Sequence, residues 1–297
     1  MNFYLKDKHF YLNLMIFIAC GLGIEGCGEE EFDPASLLTG YRLIALQADP
    51  PIISITQEST IRIFDYHPDE LKGERPSFSY EWSVCPFTLG SPVQYQCFVE
   101  DVQLESEGPE AILKPLDLLM QLGELEELQN SSDQLSSEMT MFDEGKIDLY
   151  IKVKTKQDKD VIFESVKRVT LDFLSMDMSK ATNPPLSEFK VRLEKEDDED
   201  EGKETQATEF KTKEKITLEV VLADEIDEEM AKTWVYTWYT TDGKLDPPTL
   251  FGDDEELKTE LTLPEEAGPL RIYLTVRDNQ GGVSLIHRDF TIIESED

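Results

Sequence analysis

The chain is short of the residues that most enzymes use for chemistry. It has three histidines and four cysteines in 297 residues. It lacks the nucleophile elbow G-x-S-x-G, the zinc-binding pattern H-E-x-x-H and a phosphate-cradling glycine loop, each of which serves a defined reaction. Only His67 and His287 lie outside the first twenty residues, and neither has a nucleophile or metal ligand at a useful spacing. Positive charge is scarce as well: 28 Lys and Arg against 63 Asp and Glu leave a formal net charge of −35. A field of that sign repels nucleic acid and anionic headgroups and favours solubility and basic or cationic partners. Nucleic acid is therefore excluded as a partner. With so many carboxylates, some Asp/Glu pair is always available, so pairs alone do not argue for glycoside hydrolysis.

Long apolar runs are absent apart from one near the start, Phe10 to Cys20, which follows Lys6 and Lys8. A charged start, a short apolar middle and a small residue before the cut are the parts of an export signal. The run contains Asn13, reaches Ile24 at the furthest and stops at Glu25. That is short of the about 20 apolar residues a membrane-spanning helix needs. Phe17-Ile18-Ala19 before Cys20 fits a bacterial lipobox except at Phe17. Cys27 is the alternative, but Glu25 would then have to enter an apolar peptidase groove unpaired, which costs several kcal/mol. The expectation is a lipoprotein signal over 1–19, lipidation at Cys20 with Cys27 as alternative, and a flexible acidic tether over 20–37. Two acyl chains would hold the protein firmly to a membrane.

The remainder reads as β structure in two copies. Ile147, Leu149, Ile151 and Val153 alternate with polar residues, as do Ile216, Leu218 and Val220, and Ile272, Leu274 and Val276. Period two with one apolar face predicts half-buried antiparallel strands. The segment from Ile147 aligns with that from Leu270, placing Tyr150 with Tyr273, Val153 with Val276 and Arg168 with Arg288. Upstream, Tyr80-Glu81-Trp82 aligns with Tyr236-Thr237-Trp238. A repeat of this length means tandem domains. Asn279-Gln280-Gly281-Gly282 predicts a hairpin turn. Trp82 and Trp238 are expected as sandwich-core tryptophans.

The closing segment Arg271 to Ile292 resembles the last hairpin of PKD-like, immunoglobulin-fold domains. The plan of Phe32-Asp33-Pro34, Tyr41-Arg42-Leu43, Asp49-Pro50-Pro51 and Trp82-Ser83-Val84-Cys85-Pro86 resembles myxobacterial-type envelope lipoproteins. The resemblance implies an exported, lipid-anchored envelope protein, at the outer membrane, whose domains act as spacers or as protein or glycan contacts. The Asp-Phe-Gly-Asp-Gly run usual after the PKD tryptophan is missing here, so ligand properties tied to that loop do not carry over. The expected fold is all-β: two tandem immunoglobulin-like β-sandwiches over 38–176 and 184–295. The first carries a partly helical insertion at about 87–143. Within it Pro115 opens a helix, with Leu116, Leu119, Leu122, Leu125 and Leu128 at three-residue spacing and Leu118 and Met120 beside them.

Two further features remain. Cys85 and Cys97 are expected to form a disulfide in an oxidising envelope, contributing about 3 kcal/mol by loop entropy. In the acidic run Glu194 to Glu204, Asp197, Asp198 and Asp200 with Gly202 are calcium candidates. Their spacing departs from the EF-hand rule, and a solvated loop is the plainer reading. Asp253-Asp254-Glu255-Glu256 is a second cluster of the same kind. The functional expectation is a non-enzymatic binding or structural module without a cofactor. The alternatives are an enzyme or accessory subunit using the domain 1 insertion, or a calcium-stabilised adhesion module.

Overall fold

Period-two burial runs through nearly every strand of the computed structural model, and it sorts the residues into two closed cores. The structure describes residues 34–85, 97, 101–124, 145–174, 182–193, 207–223, 226 and 228–295. The signal, Cys20, Cys27, Asp197, Asp198 and Asp200 lie outside them, as does the expected tether up to residue 33; its end is not free, because Thr240 N donates to Ser36 O at 2.9 Å and Leu37 forms a parallel bridge with Thr240.

Domain 1 is built from β1 (Arg42–Asp49), β2 (Ile52–Ile53), β3 (Ser59–Tyr66), β4 (Phe78–Cys85), β5 (Val102–Gln103), β6 (Glu105–Glu107), β7 (Glu110–Leu113), β8 (Lys146–Gln157) and β9 (Asp160–Asp172). Domain 2 is built from β10 (Leu186–Leu193), β11 (Glu209–Lys211), β12 (Lys215–Leu222), β13 (Val235–Thr240), β14 (Lys244–Asp246), β15 (Thr249–Phe251), β16 (Lys258–Thr262), β17 (Gly268–Arg277) and β18 (Val283–Ile293).

The strand order is β1-β3-β7-β6 facing β2-β9-β8-β4-β5 in domain 1, and β10-β12-β16-β14 facing β11-β18-β17-β13-β15 in domain 2. Slot for slot this is the A-B-E-D and G-F-C arrangement of immunoglobulin-like sandwiches, with a short strand lying parallel to the last strand in each copy. The copies differ in one respect. The slots beside β4 and β7 are filled in chain order by β5 and then β6, whereas β14 and β15 fill the matching slots in reverse.

Trp82 and Trp238 occupy matching core positions on β4 and β13. Trp82 Nε1 donates to the Gly108 carbonyl at 3.2 Å. Trp238 Nε1 has no partner among the described residues, and its ring meets Phe189 edge-on at 5.1 Å. The predicted hairpin joins β17 to β18, with positive φ at Asn279 and Gly281. The disulfide Cys85–Cys97 is present, with Cα atoms 5.6 Å apart.

The segment expected as an insertion divides. Residues 102–113 are not inserted at all; they supply β5, β6 and β7, because their backbones complete the ladders on β4 and β3. The predicted helix starts at Pro115 as α1 (Pro115–Glu124). Its buried contact is Leu118, 4% exposed, in the domain 1 core, while Leu116 is 51% exposed. Leu119 is half-buried, and the side chains of Leu122, Leu125 and Leu128 lie outside the described residues. A single turn, α2 (Glu228–Ala231), precedes β13.

The two sandwiches belong to one compact unit, Ser36–Asp297. A β-bulge between Leu43 and Ala45 explains part of their joining. The extra residue of a bulge shifts the side-chain alternation, so Leu43 and Leu46 face the domain 1 core while Ile44 enters a third apolar cluster. That cluster unites Leu38, Ile44 and Tyr66 with Tyr273, and Leu71, Tyr239 and Leu285 pack against it. Tyr273 alternates with the core residues Ile272 and Leu274, so it stands on the outer face of the β13–β17–β18 sheet. Domain 1 thus sits on that outer face. Five further contacts stitch the seam. Leu38 N donates to Thr240 O at 2.8 Å and Gln47 Nε2 to Val283 O at 2.8 Å. Asn183 donates through Nδ2 to Ala48 O and accepts from Val283 N, both at 2.9 Å, and Lys167 Nζ donates to Gly281 O.

Candidate functional site

Where β3 ends, the chain turns through a 3-10 turn, Pro68–Lys72, before β4. His67 caps it: Nδ1 accepts from Asp69 N at 3.2 Å, and Glu70 Oε1 accepts from His67 N at 3.3 Å. This capping box holds the Glu70 carboxylate at the edge of domain 1. One residue before the turn begins its approach, β3 presents Asp65, whose side chain is 4% exposed. A carboxylate so buried needs charged and hydrogen-bonding partners. It has three: Tyr41 Oη donates at 3.2 Å, Tyr80 Oη at 3.0 Å and Arg75 Nη2 at 2.5 Å.

Arg75 also reaches Glu70 at 2.8 Å, and its guanidinium lies 5.7 Å from the Phe78 ring centre. Glu70, 12% exposed, then pairs across the seam with Arg271 Nη1 at 3.1 Å. On β17 and β18, Arg271 stands directly opposite Asp289, and the two make a bidentate pair at 2.5 and 2.9 Å. A chain of alternating charge, Asp65–Arg75–Glu70–Arg271–Asp289, therefore crosses from one sandwich to the other. These charges bound a cleft of about 400 Å³, whose walls are Phe64, Phe78, Tyr80 and Pro109 on one side and Tyr273, Leu285 and His287 on the other.

The electrostatics follow from burial and pairing. Burial, reinforced by the Asp65 charge, pushes Tyr80 up to about 12, and the same two causes push Tyr41 higher still. Tyr66, beside Tyr273 with ring centres 6.2 Å apart, is raised by burial to about 12. Burial works against the charge on Arg75, but the Asp65 and Glu70 carboxylates outweigh it and its pKa is raised. Asp289 is held below the usual carboxylate range by its hydrogen bonds from Arg271. Burial, then the Arg271 charge, lowers His287, which keeps its imidazole neutral.

Sequence reasoning set His67 and His287 aside as isolated. The structure makes His67 a cap and places His287 on the cleft wall, its ring 5.5 Å from Tyr273. Asp65, Glu70, Arg75, Arg271 and Asp289 were not singled out. The one signal available was the presence of Tyr239 and Tyr273 at the outward positions of their strands, where a solvent-facing sheet would carry polar residues. Asp253 to Glu256 lie on an exposed turn where Asp254 accepts from Phe251 N at 2.7 Å. Asp101 lies beside Cys85 and Cys97, but sulfurs joined to each other are not the thiolates that bind metals.

No family model matches the chain, and neither does any curated protein. Among solved structures, the chain is similar to the FN1–FN3 domains of chicken CNTN1, with 10% identity, a TM-score of 0.24, and coverage of 84% of this chain and 64% of that one. It is also similar to the D00–D0 domain of intimin, with 8% identity, a TM-score of 0.25, and coverage of 86% and 98%. A third is the Bacteroides ovatus mixed-linkage glucan utilization locus protein SGBP-B in complex with a mixed-linkage heptasaccharide, with 11% identity, a TM-score of 0.22, and coverage of 86% and 47%. The chain thus spans less than two thirds of the first and third of these. At such TM-scores the likenesses bear on neither chemistry nor partner, and the fold rests on the strand order itself.

Proposed function

We propose that this chain is an exported, lipid-anchored protein of the bacterial cell envelope, at the outer membrane, that works without catalysis as a binding or structural module contacting protein or glycan. Segment 1–19 acts as the export signal, Cys20 takes the lipid with Cys27 as alternative, and residues 20–35 form the tether, which ends where Ser36 and Leu37 pair with Thr240. The observation that carries the module reading is the charge chain from Asp65 to Asp289. It links two immunoglobulin-like sandwiches within one compact unit, and its groups are committed to one another rather than aimed at a reacting atom. Rigid presentation lowers the entropy cost of binding.

The anchor is tested by expressing the full chain in a Gram-negative host, feeding an alkyne palmitate and fractionating the envelope. Labelled protein in the outer-membrane fraction is the expected result, with label lost in Cys20→Ser and kept in Cys27→Ser. Unlabelled protein released from the membrane would overturn the anchor. Label lost only in Cys27→Ser would move the lipid to the second cysteine.

A further inference from the structure

We infer that the cleft between the sandwiches is a binding site for a neutral saccharide. The inference rests on the binding-module reading above and adds a place and a ligand class to it. Size is the first argument. At about 400 Å³, the cleft falls within the range of small-ligand sites, which occur preferentially at domain junctions.

Charge selects the ligand class. The whole chain carries −35, which works against an anion reaching the cleft. Inside it, the charges of Arg75 and Arg271 are taken up by Asp65, Glu70 and Asp289, which leaves no unpaired carboxylate among the described residues of the walls to hold a cation. A neutral ligand meets neither obstacle. The hydrogen-bonding groups on the walls suit hydroxyls, which both donate and accept. Arg75 keeps 42% of its side chain exposed after pairing with two carboxylates. The His287 side chain makes no hydrogen bond among the described residues, and as a neutral imidazole it offers one donor and one acceptor. Phe64 and Pro109 supply apolar surface against which the C–H face of a pyranose packs. The charges are held by one another across the cleft, so little ordering is needed on binding.

The test is calorimetric titration of the full chain in nanodiscs with maltotetraose, cellotetraose, laminaritetraose, chitotetraose and, as an anionic comparator, tetragalacturonate. At least one neutral tetrasaccharide should bind with an affinity that changes little with added salt. His287→Ala and Phe64→Ala should each weaken it about tenfold, the loss of about 1.4 kcal/mol expected for one good contact, at unchanged thermal midpoint. Leu116→Ala, on α1, should bind as the parent does. If His287→Ala fails to fold, His287→Gln keeps the wall filled and should still weaken binding. Three outcomes would overturn the inference: no neutral sugar binding at millimolar concentration, preference for tetragalacturonate, or binding that both cleft variants leave intact. Any of these together with retained palmitate labelling and outer-membrane fractionation would remove the saccharide site and leave the envelope module standing.

Discussion

Asp65 is the residue on which domain 1's half of the cleft depends, because two tyrosine hydroxyls and a guanidinium converge on one buried carboxylate. Asp65→Ala leaves those three donors without their acceptor, and the expected loss is about 3 kcal/mol, read from the urea midpoint. Lys167 makes the opposite kind of prediction. It lies buried at the seam, its ammonium bound to Gly281 O, and burial brings its pKa from 10.5 down to about 8 against the partial help of Asp278, with Arg277 and Arg168 lowering it further. A lysine depressed in the folded state binds fewer protons there than in the unfolded chain, so stability rises with pH between about 8 and 10. Below pH 8 the penalty is present in full. The ceiling on this gain is about 3 kcal/mol. Above pH 10 the unfolded chain's tyrosines ionise while Tyr66, Tyr80 and Tyr236, raised to about 12 by burial, stay neutral, and the trend reverses. Urea midpoints across pH 7–10 should climb for the parent and stay level for Lys167→Met.

At the scale of elements, alternation made the strands legible and left their corners illegible. The Ile147–Val153, Ile216–Val220 and Ile272–Val276 patterns become β8, β12 and β17 with the predicted faces inward. Short strands such as β5, β6 and β14 escaped because two or three residues cannot show a period, and they are held by the ladders of β4, β7 and β16. In α1 Leu118 meets the domain 1 core while Leu116 faces outward, a split that a single helical turn of 3.6 residues imposes. The Cys85–Cys97 bridge ties the end of β4 to the segment after it. Replacing both cysteines by serine should lower stability by about 3 kcal/mol, measured by chemical denaturation with and without reductant. Reductant should affect the parent and not the variant.

For the whole molecule, the junction decides behaviour. Domain 1 rests on the outer face of the β13–β17–β18 sheet around Tyr239, Tyr273 and Leu285, so that part of the face is covered, and the cleft exists only because both sandwiches are present. A double-mutant cycle on Glu70→Gln and Arg271→Gln should return a coupling energy of about 1 kcal/mol or more. In the same variants small-angle scattering should show a larger radius of gyration if the seam opens. Little of this was legible in the chain. Glu70 and Arg271 are 201 positions apart, neither sits in a motif, and in a protein with 63 acidic residues no single Glu draws notice.

What the sequence determined by itself was local or repetitive: strand periodicity, the doubled plan, the two core tryptophans, the disulfide and the acidic balance. These follow from side-chain alternation, composition and short separations, which a linear reading can see. The tertiary structure alone decided that the bulge at Ile44 turns one aliphatic side chain away from its own core, that Tyr239 and Tyr273 face a neighbouring sandwich instead of solvent, and that Asp65 to Asp289 form one chain of charge. The physical reason is that a residue's burial and charge partners depend on which surfaces meet, and two sandwiches with closed cores have many outer faces on which they could meet.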